Sequence, residues 1–145
     1  MLYMFLENGF EETEALATLD FIRRADIDIK LVSDYRTVCG SHGIKVKRDI
    51  SLKKASFDGL KGVILPGGLP GSDNLNKNKR VKAFIKYAYE NKLLIGAICA
   101  APYILGELGY LEGRKATSFP SFNKYLKGAE TVSYTHLTLP TMAVV

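Results

Sequence analysis

The chain has 145 residues, 47% of them hydrophobic and 24% charged, with two cysteines and a formal net charge of +5. That length fits one domain with a real core, and the composition is ordinary for a globular protein. Its 20 Lys and Arg are spread along the chain among 15 Asp and Glu. No basic stripe for nucleic acid forms, the cysteines give neither a disulfide framework nor a zinc-like spacing, and no apolar run is long enough to span a membrane.

In chain order, residues 1–6 form a short apolar run with the shape of a buried strand, broken by Glu7-Asn8-Gly9-Phe10. From Glu11 the pattern turns helical. Leu16, Leu19 and Ile22 share a face, and Arg23 and Arg24 fall near the C-terminal end, where cations suit the helix dipole. Residues 27–32 read as a second strand. Residues 38–49 contain Gly-Ser-His-Gly followed by alternating Ile44-Lys45-Val46-Lys47, which predicts a half-exposed strand or hairpin. Gly62–Leu65 is another buried strand, with the glycine-rich turn 66–71 at its carboxyl end. Residues 81–89 form an amphipathic helix on Val81, Phe84, Ile85 and Ala88. Residues 93–98 are a strand, 103–108 a helix, and 115–119 a last short strand before a turn at Pro120.

Strands alternating with helices predict an α/β fold, a doubly wound and mostly parallel sheet flanked by helices. In such sheets, sites form outside the carboxyl ends of the strands. Three features land on that edge: the acidic loop after the first strand, the glycine turn after Leu65, and Cys99. The cysteine ends an apolar run, small residues surround it, and Pro102 opens the following helix. A strand-to-helix turn of this kind presents a nucleophile, and the nearby helix N-terminus favours thiolate. A buried core cysteine after a central strand gives the same local pattern.

Glu11-Glu12-Thr13-Glu14-Ala15, Leu65-Pro66-Gly67-Gly68 and Ala97-Ile98-Cys99-Ala100-Ala101-Pro102 occur in that order. Together they resemble the ThiJ/PfpI superfamily, and within it the small bacterial ThiJ-like proteins related to the Parkinsonism-associated protein deglycase. The resemblance runs from the first strand to about Glu130. It implies a flavodoxin-like, class I glutamine-amidotransferase-like fold, with Cys99 as nucleophile and redox-sensitive thiol. Glu14 then matches the glutamate whose protonated carboxyl hydrogen-bonds the sulfur, a state that burial beside a thiolate favours. Backbone amides of Gly67, Gly68 and Ala100 would hold a developing oxyanion. Glu11 and Glu12 are expected to be ordinary first-turn helix acids, and His42 a surface or interface histidine.

Where some relatives carry a histidine, this chain has Ala100 and Phe119, so a Cys-His-Glu triad of the protease type is not expected. The resemblance implies a cysteine-dependent, cofactor-free and metal-free deglycase or glyoxalase-like activity on methylglyoxal or its early adducts. The alternative is an oxidative-stress sensor or redox-regulated chaperone using the same cysteine. A small aldehyde or glycated substrate, a homodimer of the full-length protein and a cytoplasmic location go with either, with no membrane partner and no specific nucleic acid.

From Thr131 onward no residue is charged. The run Val132-Ser133-Tyr134-Thr135-His136-Leu137-Thr138-Leu139-Pro140-Thr141 resembles the in-frame translation of a transposon-end sequencing adapter. The α/β domain is therefore expected over 1–131, incomplete at its C-terminus, with 132–145 a non-native tail kept out of fold reasoning. On that reading His136 belongs to no catalytic set. A class I glutamine-amidotransferase-like domain would need a histidine and a glutamate near the C-terminus, which residues 1–131 do not supply.

Overall fold

The computed structural model describes residues 1–132. Its centre is a five-stranded sheet built from β1 (Leu2–Phe5), β2 (Ile29–Ser33), β5 (Ile50–Ser51), β6 (Gly62–Leu65) and β7 (Leu94–Ala97). The order is β5-β2-β1-β6-β7, and every pairing is parallel. A short antiparallel hairpin, β3 (Thr37–Cys39) with β4 (Lys45–Lys47), stands apart from it, as does a two-residue parallel pairing of β8 (Lys115–Ala116) with β9 (Glu130–Thr131). The helices are α1 (Glu12–Arg24), α2 (Gly71–Lys77), α3 (Lys79–Glu90) and α4 (Pro102–Glu107), with single 3-10 segments at Leu52–Lys54 and Pro120–Tyr125.

The alternation of β1 explains the two layers. Tyr3 and Phe5 point into the core formed with Phe84, Ile85 and Ala88 of α3 and Ile104 and Leu105 of α4. Leu2, Met4 and Leu6 point to the other face, into the core formed with Ala15 and Leu19 of α1 and Val38 of the hairpin. A parallel sheet covered on both faces needs apolar residues at successive positions, and all of β1 is buried. Chain order reverses direction across β1, whose neighbours are β2 and β6. Loops leaving β1 and β6 therefore diverge to opposite faces and open a crevice at their carboxyl ends.

The structure revises several expected elements. The strand expected over 115–119 is only Lys115–Ala116, and Ile27, expected at the start of β2, is 48% exposed and outside it. A helix the sequence reading did not contain, α2, follows the glycine turn directly, because Pro70 serves as its N-cap position and Gly71 opens it. Residues 133–145, nearly all of the segment read as a tail, lie outside the described residues, and His136 with them.

Candidate functional site

β7 ends at Ala97, and two residues later Cys99 adopts φ +60°, a left-handed conformation that non-glycine residues seldom take. That strained turn lifts the thiol off the end of the sheet, as a nucleophile elbow requires. It is held from behind, since the Ala101 amide donates to Ile98 O at 3.0 Å and the Phe119 amide to Cys99 O at 2.7 Å. Helix α4 begins at Pro102 with Ala101 as its cap position, so the cysteine stands ahead of the helix rather than on its first turn. The expected dipole effect on the thiol is correspondingly reduced.

Glu14 arrives from the opposite face of the sheet, on the first turn of α1. Glu11 caps that helix through its carboxylate, which accepts from the Glu14 amide at 2.8 Å. The Glu14 side chain crosses to the glycine turn, where its Oε2 accepts from the Gly67 amide at 2.8 Å. A Cβ placed on Gly67 would lie 2.5 Å from Glu14 Oε2 and 2.6 Å from Cys99 Cβ, so these two groups flank one point that only a glycine leaves free. Gly68 is needed for a different reason: its φ is +93°, and a Cβ there would lie 2.6 Å from Gly9 O.

The electrostatics follow from this packing. Burial pushes the Glu14 carboxyl upward, against the Gly67 amide and the Cys99 contact, which favour its charged form. Burial likewise pushes the Cys99 thiol up, and the neighbouring Glu14 charge adds to it, while the amides of Ala100 and Gly68 pull the other way. The two groups compete for one negative charge in one desolvated place, so they titrate as a pair. The sequence reading foresaw the raised carboxyl. It expected the helix end to make the thiol more acidic, whereas burial and the carboxylate win.

Cys99, Glu14, Gly67, Gly68 and Ala100 thus come together, but with one exchange of roles. The Gly67 amide is committed to Glu14 and is not free for an oxyanion, whereas those of Gly68 and Ala100 act on the thiol by favouring its charged form. Glu12, read as an ordinary helix acid, is 4% exposed and accepts from the His42 amide, His42 Nδ1, Ser41 Oγ and the Ile44 amide. The only sequence signal for this was Gly-Ser-His-Gly, a tight turn rich in donors. The His42 ring is itself exposed. Glu11, Glu12 and His42 are the one group among the described residues whose potential metal-ligating atoms lie within 4.8 Å of one another, and both carboxylates are already engaged within the protein. Phe119 is 54% exposed beside the Cys99 turn. No described helix is long and apolar enough to cross a membrane.

Comparison with known proteins agrees with this fold. Residues 1–138 match the DJ-1/PfpI family. "Protein DJ-1 homolog A" of Arabidopsis thaliana is 36% identical over 124 residues, 83% of this chain and 32% of that protein. A Pyrococcus horikoshii protein named a deglycase is 29% identical over 83% of this chain and 73% of its own length. The crystal structure of a DJ-1 superfamily protein of Salmonella typhimurium superposes with a TM-score of 0.91 at 31% identity, covering 99% of this chain and 79% of that one. The chain therefore spans about a third of the plant relative and about three quarters of the archaeal one.

Proposed function

We propose a function from one premise: the chain belongs to the DJ-1/PfpI family. On that premise it is a cysteine-dependent deglycase or glyoxalase-like protein acting on methylglyoxal or its early adducts, without a cofactor. The observation that carries the reading is Cys99 at φ +60°, standing with Glu14 at the Gly67 turn, where a Cβ on Gly67 would lie 2.5 Å from Glu14 Oε2 and 2.6 Å from Cys99 Cβ. A reactive thiol, a proton carrier and oxyanion donors are what addition to an aldehyde carbon requires.

The chemistry balances within the substrate. Cys99 Sγ adds to the aldehyde carbon as the thiol proton passes to Glu14, and the oxygen takes up the charge facing Gly68 and Ala100. The proton on the former aldehyde carbon is then moved to the adjacent carbonyl carbon, and the thiol proton held by Glu14 passes to that carbon's oxygen, giving a thioester of a hydroxy acid. Water cleaves that thioester and restores the thiol. One carbon is oxidised and its neighbour reduced, so no external oxidant is consumed. A Glu14 carboxyl raised above its ordinary range holds a proton more readily than a free carboxyl, which suits it to accept and return one.

The second reading keeps the same residues without turnover: Cys99 oxidises to sulfinate and the protein acts as a stress sensor or redox-regulated chaperone. It is favoured by the half-exposed state of the thiol. A homodimer and a cytoplasmic location accompany either reading. The deciding measurement is methylglyoxal turnover by the wild type, Cys99→Ala and Glu14→Gln. Loss in both variants is expected, and unchanged turnover in Cys99→Ala overturns the enzyme. An inactive wild type that forms the Cys99 sulfinate readily, seen by mass spectrometry, moves the function to the sensor.

A further inference from the structure

The most densely bonded buried charge outside the Cys99–Glu14 pair is Glu12. Its Oε1 accepts from the His42 amide at 2.6 Å and the Ile44 amide at 3.4 Å, and its Oε2 meets His42 Nδ1 at 3.0 Å and Ser41 Oγ at 3.2 Å. All four donors belong to the tip of the β3–β4 hairpin. Gly40, at the same tip, approaches so closely that a Cβ there would overlap the Glu12 carboxylate.

From this post a continuous set of backbone contacts leads to the thiol. The hairpin grips the loop after β1: the Gly9 amide donates to Cys39 O at 2.8 Å, the Ser41 amide to Phe10 O at 2.8 Å, and the Cys39 amide to Asn8 Oδ1 at 2.9 Å. That loop in turn grips the glycine turn, through the Glu11 amide to Gly67 O at 2.9 Å and the Gly71 amide to Gly9 O at 3.1 Å. The turn supplies the Gly67 amide to Glu14 and packs against the Cys99 side chain, so closely that a Cβ on Gly67 would lie 2.6 Å from Cys99 Cβ.

We propose that Glu12 is a positioning residue for Cys99, fastening the β3–β4 hairpin onto the 8–11 loop and so holding the Gly67–Gly68 turn against the thiol. The inference takes Cys99 to be a reactive thiol, in either the enzyme or the sensor reading. Reach, rather than charge, is what the role demands, because two of the four donors are backbone amides at fixed positions. Glutamine keeps the acceptor oxygen in place, whereas aspartate keeps the charge but withdraws it by one methylene.

The test is iodoacetamide alkylation of Cys99, followed peptide by peptide by mass spectrometry from neutral to alkaline pH, with hydrogen exchange at His42 and Ile44 in the same samples. Glu12→Asp and Gly40→Ala are expected to speed exchange at the hairpin tip and to slow Cys99 alkylation at neutral pH about fivefold, the worth of one weakened amide contact. Their midpoints move up in pH, since the Gly68 amide favours the thiolate. Glu12→Gln is expected to stay near wild type in both readouts. Glu12→Asp retains a compact acidic side chain and decides the matter if Gly40→Ala does not fold. Faster exchange with unchanged alkylation, or unchanged exchange, overturns the proposal. Alkylation consumes no aldehyde substrate, so a wild-type protein inert toward methylglyoxal leaves this test intact, while a Cys99 inert toward iodoacetamide in the wild type counts against the thiol reading itself.

Discussion

The Gly67 amide donates to Glu14 Oε2 at 2.8 Å, joining the glycine turn after β6 to the helix after β1 across the end of the sheet. The bond sets where the carboxyl stands relative to Cys99. It also explains a glycine whose backbone angles any residue could adopt, since the constraint there is space.

Gly67→Ala is therefore expected to act on Glu14 and Cys99 directly. Its Cβ would enter at 2.5 Å from Glu14 Oε2 and 2.6 Å from Cys99 Cβ. Overpacking of this kind costs about 1–3 kcal/mol. A lowered urea midpoint together with altered Cys99 alkylation is the expected pair of results. Wild-type behaviour in both measurements would show that the two side chains move aside freely.

Glu14→Gln tests the shared charge. Two acids in contact lose their protons in two apparent steps, the second raised because it places two negative charges together. Glutamine cannot ionise, so the expected titration of Cys99, read by thiolate absorbance, has a single step lying below the last step of the wild type. Methylglyoxal turnover falls in the same variant because the proton carrier is gone. A final step that stays where it was would mean that Glu14 places no charge on the thiol.

Cys99 carries a conformational cost that belongs to its role. At φ +60° an alanine is strained as the cysteine is, while a glycine is not. Cys99→Gly should exceed Cys99→Ala in stability by about 0.5–1 kcal/mol in urea unfolding, after the greater unfolded-state entropy of glycine is counted. Both variants should lack turnover. Equal stability would place the strain elsewhere.

Glu7 offers a pH test away from the thiol. It is buried at the end of β1, and burial pushes its carboxyl up, against the Asn78 amide that donates to Oε1 at 2.9 Å and with the nearby Asp34 charge. The folded state then holds the proton more tightly than the unfolded chain. Glu7 thus costs nothing at acid pH and destabilises increasingly as pH rises from the ordinary carboxyl range through its raised value. Glu7→Gln keeps an acceptor for Asn78 and removes the charge. Its melting temperature should match wild type in acid and exceed it at neutral pH. A difference independent of pH would refute this.

The apolar runs at residues 1–6, Gly62–Leu65 and 93–98 and the amphipathic spacing of α3 are local properties, and the layered parallel sheet followed from them directly. Ile44-Lys45-Val46-Lys47 signalled a half-exposed strand or a hairpin, and the pairing of β3 with β4 makes it the hairpin. Helix α2 was not, because Pro70 and Gly71 are turn residues by composition and helix openers by position. Glu12 was misread for a related reason. A glutamate in the first turn of a helix looks the same whether it faces water or the tip of a hairpin some thirty residues away.

By itself, the sequence determined the class of fold, the edge of the sheet where the candidate site lies, and the residue types gathered there. These follow from side-chain periodicity and from what ends each strand, which are written within a few residues of one another. Only the tertiary structure decided the assignments within the site: the Gly67 amide goes to Glu14, Gly67 leaves the space where Glu14 and Cys99 approach, and burial raises both acids of the pair. Those assignments depend on three loops from distant parts of the chain meeting at one strand end, where a few tenths of an ångström determine which donor reaches which acceptor.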